Sequence, residues 1–217
     1  ARDLKTLLIR SNQNGECVWQ LYVKDESFDI FTSDQAKRLP ASGGEIIFSN
    51  PKSPASVITS KLANYGKTIL ADTVLGVPFS YTADSFFQIN IPVYEQALKD
   101  TKEWVSEDSK TTDMYSGVGT IGLTIGGPGT VLVEINESAV SEMKNNIKQL
   151  GLQATPVLAA SESALNYISN DRLIIVDPPR AGLHNDVIDK LLKEQPKRII
   201  YLSCNPVTQA RDAEKLL

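Results

Sequence analysis

Five short apolar runs in the second half of the chain, TTDMY, TVLVEI, ATPVLA, RLIIVD and RIIYLS, alternate with stretches of helical periodicity. Too short for helices and apolar on both faces, they predict the buried strands of a parallel sheet whose crossovers are the helices between them. The architecture is therefore α/β and doubly wound, and ligands of such sheets bind outside the carboxyl ends of the strands. Capping residues place the helices. Asn90 and Pro92 start one over 92–105, with Tyr94, Ala97, Leu98, Trp104 and Val105 on one face. A second over 137–150 carries Val140, Met143, Ile147 and Leu150 on its apolar face and is closed by Gly151. A third lies near 186–194, and the last begins at Pro206.

Residues 1–82 have a different texture. Short β-prone runs, KTLLIR, CVWQLYVK, EIIFS, SVITS, KTILA and VPFSY, are punctuated by turn residues and predict a mostly antiparallel β subdomain ahead of an α/β domain over 83–217. With 217 residues and 41% hydrophobic, the chain is long and apolar enough to bury a real core. Its longest apolar runs are only a handful of residues, which predicts no membrane span and no signal peptide, and so a cytoplasmic protein. Cys17 and Cys204 lack CxxC spacing and are too few for a disulfide framework, a metal site or an iron–sulfur cluster. A net charge of −4 gives no global footprint for nucleic acid, though a locally positive groove is compatible with it. The first residue is not methionine and the last lie in a helical pattern, which reads as part of something longer.

Strand TTDMY runs into SGVGTIG, where Gly117, Gly119 and Gly122 fit G-x-G-x-x-G, a loop that lets backbone approach a nucleotide cofactor. A plain glycine turn before a helix has the same spacing. The next strand ends in Glu134, whose carboxylate can accept the hydroxyls of a ribose. Two cofactors fit, a dinucleotide or S-adenosylmethionine; Asp113 before the loop favours the second, because a carboxylate suits a cationic methionine end and repels a pyrophosphate. Strand RLIIVD ends in Asp177, and Pro178-Pro179 force the chain out of the sheet there, fixing Asp177 over the strand ends as a rigid platform for a planar base. Methyltransferases of exocyclic base amines use a similar Asp/Asn-Pro-Pro followed by an aromatic residue; here Arg180 follows.

The last run ends in Cys204, ahead of Asn205 as N-cap and Pro206 as first helical residue. The positive end of that helix favours a thiolate, so Cys204 reads as a nucleophile, while Cys17 in its β-prone run reads as structural. His184 reads as a surface or capping residue, and Arg211–Asp212 as a helix ion pair of little weight. A thiolate near a methyl donor points to uracil: carbon 5 is too poor a nucleophile to take a methyl group until a thiolate adds at carbon 6.

SFFQIN (85–90), DMYSGVGTIGL (113–123), VEINESAV (133–140), VDPPRAGL (176–183) and YLSCNPVTQARD (201–212) together resemble the RNA uracil-C5 methyltransferases that make 5-methyluridine in tRNA and large-subunit rRNA. The resemblance covers 85–217 and implies a Rossmann-like class I S-adenosylmethionine-dependent sheet, its last two strands beyond Leu217, with 1–82 similar to the family's central β subdomain. It implies RNA, rRNA or tRNA, as partner. Cys204 is then the nucleophile, with Asp177 and Gln88 beside the reacting base. Gln88, Asp113, Tyr115, Glu134 and Asp177 contact the cofactor or hold the uracil, and Gly117, Gly119 and Thr120 lie under the cofactor. Ser116 stands where the family usually has Cys, and ATPVLAASES lacks the acidic residue often found near the adenine. The family's N-terminal RNA-binding barrel, its iron–sulfur cysteines and its glutamate base have no counterpart in these residues. Two other readings remain open at this point: methyl transfer to a base amine with Cys204 inert, and a non-catalytic RNA-binding module of the same fold.

Overall fold

The computed structural model describes residues 3–106 and 108–217. They form two compact units, one comprising the chain up to Asp72 together with Ser80–Asp84, the other Thr73–Phe79 together with Ser85–Leu217.

The first unit is built on a four-stranded sheet, β1 (Leu4–Ser11), β2 (Cys17–Val23), β3 (Gly43–Phe48) and β4 (Ser60–Gly66), paired in chain order. The β1–β2 and β3–β4 pairs are antiparallel, as expected, but β2 and β3 run parallel. A connection of nearly twenty residues, containing the one-turn helix α1 (Ser33–Ala36) with a Thr32/Gln35 capping box, returns the chain for that pairing. One face of the sheet carries Trp19, Leu21, Val23 and Ile46, with Trp19 stacked on Tyr65 at 5.9 Å between centroids. The run SVITS is not a strand until its last residue: the segment 51–58 is a turn following Pro51 and Pro54, and Ser56 is left-handed at φ 62°. A hairpin, β5 (Ile69–Val74) and β6 (Val77–Thr82), is joined by Leu75 and Gly76, both at positive φ.

In the second unit, α2 (Ile91–Lys102) is capped by the Asn90 side chain and buries Ile91, Tyr94, Leu98 and Thr101. It stops short of Trp104 and Val105, which were expected on its apolar face; Trp104 is 57% exposed. Five parallel strands follow: β7 (Lys110–Met114), β8 (Thr130–Glu134), β9 (Ala154–Leu158), β10 (Arg172–Val176) and β11 (Arg198–Tyr201). Their order is β11-β10-β7-β8-β9, so the chain winds outward from β7 first to one side and then to the other. The helices are α3 (Thr120–Ile125), α4 (Glu137–Leu150), α5 (Asn185–Glu194) and α6 (Pro206–Leu216). The second helix expected in this half is observed over its full range, opened by the Asn136 side chain and closed by left-handed Gly151. Met114, Val133, Ile174 and Val176 of the sheet form one core with Val187, Ile188 and Leu191 of α5. No helix among the described residues is long and apolar enough to cross a membrane.

Gly122 sets how closely α3 lies on the sheet. A Cβ there would fall 2.3 Å from Leu132 Cδ2, 3.1 Å from Thr130 Cγ2 and 3.1 Å from Asp113 Oδ2. Leu132 is fully buried and has nowhere to move. Gly122→Ala is therefore expected to destabilise the protein by about 1–3 kcal/mol, the usual cost of overpacking, read as a lower urea midpoint at unchanged slope.

Candidate active site

Reversal of the winding direction between β7 and β10 leaves a crevice at the carboxyl edge of the sheet. A cavity of about 690 Å³ lies there, within the range that holds cofactor-sized ligands. Each of the five strands contributes to its wall. Tyr115 and Gly117 come from the loop after β7, Glu134 from β8, Ser161 and Glu162 from the turn after β9, Asp177 to Arg180 from beyond β10, and Cys204 from beyond β11; Phe86 and Gln88 precede α2. Six of the residues singled out in the sequence thus line one cavity: Gln88, Tyr115, Gly117, Glu134, Asp177 and Cys204.

Asp113, Gly119 and Thr120 are not on that wall. Gly119 is the N-cap of α3, left-handed at φ 91°, and a glycine has no side chain to cap with. Asp113 supplies that cap from the end of β7, its Oδ2 accepting from Gly122 N at 2.9 Å. Its Oδ1 is buried with no hydrogen-bond partner among the described residues. Burial pushes the Asp113 carboxyl up to about 8; the Gly122 N–H opposes this, and the carboxylates of Asp177 and Glu134 reinforce it. The Thr120 hydroxyl pairs with Tyr94 of α2 at 2.8 Å. These residues support the loop from beneath.

On the wall itself, Glu134 Oε2 accepts from Gly117 N at 2.9 Å and Oε1 from Asn136 N at 2.7 Å. The carboxylate is clamped by backbone, and each oxygen keeps a second lone pair for a hydroxyl. Tyr115 is held left-handed at φ 67°, a conformation non-glycine residues rarely adopt, and the Ser161 hydroxyl donates to its phenol at 2.8 Å. Ser116, standing where the resembled family has Cys, is accommodated by donating to Val133 O at 3.0 Å. Asn146 of α4 ties the loop from below by donating to Val118 O at 3.2 Å. Glu162, the acidic residue within ATPVLAASES, is exposed on the wall, its carboxyl held low by a backbone N–H and the Ser161 hydroxyl. Burial raises the Asp177 carboxyl.

Cys204 is exposed, two residues before α6 begins, and Asn205 caps that helix through Oδ1 to Val207 N at 3.2 Å. His184 is the N-cap of α5, its Nδ1 accepting from Asp186 N at 3.3 Å, as expected of a capping residue. The Arg211–Asp212 ion pair is present, but Asp212 is fully buried and also accepts from Leu183 N and Tyr201 Oη.

The donor set can be tested against the two cofactors. The wall carries three carboxylates, Glu134, Glu162 and Asp177, against one guanidinium, Arg180. That excess of negative charge suits a ligand with a net positive charge and repels a pyrophosphate, so the residues fit S-adenosylmethionine and do not fit a dinucleotide.

The crystal structure of Pyrococcus abyssi tRNA (uracil-54, C5)-methyltransferase, in complex with S-adenosyl-L-homocysteine, superposes on this chain with a TM-score of 0.82 at 27% identity, covering 99% of this chain and 53% of that one. The fold is that of the class I, Rossmann-like methyltransferases. The family described as tRNA (Uracil-5-)-methyltransferase matches residues 163–217. The tRNA (uracil(54)-C(5))-methyltransferase of Pyrococcus horikoshii is 36% identical over 154 residues, 70% of this chain and 37% of its own. An uncharacterized RNA methyltransferase of Porphyromonas gingivalis is 29% identical over 230 residues, 99% of this chain and 49% of its own. The chain spans between about a third and a half of the length of these relatives. It is a relative of the RNA uracil-C5 methyltransferases.

The Asp113 carboxyl has a sign that can be checked. A folded-state value near 8, against about 3.8 unfolded, means the folded protein holds a proton that the unfolded chain has lost over that interval. Stability therefore falls as pH rises from about 4 to 8 and is level above it. Asp113→Asn keeps an acceptor for Gly122 N and removes the titration. The stability of Asp113→Asn relative to the parent is expected to grow across that window, measured by denaturant unfolding at several pH values; a constant difference would contradict the assignment.

Proposed function

We propose that this protein transfers a methyl group from S-adenosylmethionine to carbon 5 of a uridine in RNA, through a covalent adduct between Cys204 and carbon 6. The observation that carries this reading is the meeting of an exposed cysteine with a net-acidic, cofactor-sized cavity at one sheet edge. Support comes from the two Pyrococcus relatives named as tRNA uracil-54 C5-methyltransferases. tRNA is accordingly the first RNA to test, with rRNA as the alternative, in the cytoplasm.

Five wall residues have a part in this. Glu134, fixed by two backbone N–H groups, offers its remaining lone pairs to the ribose hydroxyls of the cofactor. Gly117, where an added Cβ would meet only Phe86 O at 3.6 Å, leaves room for close approach. When bound, the cofactor supplies an electrophilic methyl group. Asp177 offers an acceptor to the N3–H of uracil, a proton that cytosine lacks, and Gln88 offers an amide to the same ring. The Cys204 thiolate adds to carbon 6, and the electron pair displaced from the ring double bond makes carbon 5 the nucleophile that takes the methyl group. Loss of the carbon 5 proton to a base then restores the double bond and expels the thiolate.

Two measurements test this. Cys204→Ser is expected to abolish transfer, and RNA carrying 5-fluorouridine, which has no removable proton at carbon 5, is expected to stay bound to the parent protein through denaturation; an adduct formed by Cys204→Ser would place the nucleophile elsewhere. Glu134→Ala is expected to weaken S-adenosylmethionine binding by about 1–3 kcal/mol, roughly 5- to 150-fold, in calorimetry. Unchanged affinity would remove Glu134 from the site.

A further inference from the structure

We infer that Asp212 is a positioning residue that locks the turn carrying the Asp177 wall to the strand and helix that present Cys204, and so sets the geometry in which thiol and base meet. The inference rests on the reading of the cavity given above. Asp212 Oδ2 accepts from Leu183 N and from Tyr201 Oη, each at 2.8 Å. Its Oδ1 accepts from Arg211 Nε at 2.9 Å and Nη2 at 2.6 Å, and the same Nη2 donates to Ala181 O at 2.9 Å. One carboxylate thus joins three segments: the turn after Asp177, the last residue of β11, and α6.

The surrounding contacts tighten the same junction. Arg180 O accepts from Asn205 Nδ2 at 3.0 Å and Thr208 Oγ1 at 3.2 Å, tying the chain beyond Pro179 to the residue after Cys204. On the other flank, Ser203 Oγ accepts from Asn205 N at 3.0 Å. Gly182, left-handed at φ 85°, lets the turn press onto α6, for a Cβ there would lie 2.5 Å from both Arg211 Nη2 and Asp212 Oδ2. Burial works to raise the Asp212 carboxyl, but the donors from Leu183, Arg211 and Tyr201 outweigh it and hold the group below the usual carboxylate range. It is an ionised anchor, off the cavity wall. A buried charge with every donor aimed at it fixes one arrangement, and a misplacement of about 1 Å can lower a rate by roughly 10²-fold.

The test uses the full-length protein, methyl-labelled S-adenosylmethionine and total RNA from cells lacking 5-methyluridine. Asp212→Asn keeps the shape but turns an N–H₂ toward one set of donors. Expected is a fall in kcat of about 10- to 100-fold, with S-adenosylmethionine affinity and the KM for RNA within about twofold and the folded fraction by circular dichroism unchanged. Tyr201→Phe removes a single donor and is expected to lower kcat about 3- to 10-fold. An unchanged kcat in Asp212→Asn, or a fall that only follows cofactor affinity or folded fraction, overturns the inference. Should Asp212→Asn fail to fold, an unchanged kcat in Tyr201→Phe overturns it instead. Retained transfer by Cys204→Ser, or no transfer by the parent protein, overturns the reading of the cavity itself, whatever the Asp212 variants do.

Discussion

The hydrogen bond from Gly122 N to Asp113 organises the cofactor side of the site. The loop after β7 has to turn sharply, and it does so with glycines, so α3 begins at a residue that cannot cap it. The strand supplies the missing acceptor. That arrangement holds α3 against β7 and β8, and the loop above it then presents Gly117 N to Glu134 of the neighbouring strand. The expense is a carboxyl buried with one oxygen unpartnered and its titration displaced far from the ordinary range. Local consistency has been given up at the point where the chain must leave room for a ligand.

Most of the site was legible because its residues sit at strand ends, and strand ends can be located from apolar runs alone. Glu134, Asp177 and Cys204 each close such a run, so a parallel sheet brings them to one edge without further information. Depth was not legible. Asp113 lies two residues before Tyr115 and Thr120 three after Gly117, yet both support the wall from beneath, and no spacing rule separates a lining residue from one below it. Glu162 lies in a single 3-10 turn, Ser161–Ser163, beyond the end of β9 rather than at a strand end, so the apolar runs do not point to it. The Arg211–Asp212 ion pair is as read, but the burial of Asp212 was not legible, for a different reason. Beside an arginine on an amphipathic helix it looks like a solvated pair, and its burial arises from a turn about thirty residues earlier folding back over it.

The same division runs through the fold. The helix over 137–150 has chemical punctuation at both ends, an asparagine cap and a left-handed glycine, and was placed to the residue. The helix from Asn90 has a start signal and no stop signal, so periodicity alone carried the reading into Trp104 and Val105. SVITS has the composition of a strand, but the prolines at 51 and 54 and left-handed Ser56 turn the chain there. The parallel pairing of β2 with β3 was missed although its sign was present: a linker that long is unnecessary for a hairpin and is what a crossover requires.

Because the sheet is wound outward from β7, its middle strand is the first of the five to be synthesised. β8 joins it after a short connection, but the other edge stays open until β10 emerges, about sixty residues later, and pairs Lys110 with Arg172. Through that interval the ribosome-bound chain exposes one side of an apolar strand, the kind of surface chaperones hold and like chains pair with. Cys204 emerges later still. A chain interrupted before β10 would thus carry a glycine loop and an acidic strand end without the sheet neighbour that makes them a pocket, and maturation of the site is tied to its slowest, least local contact.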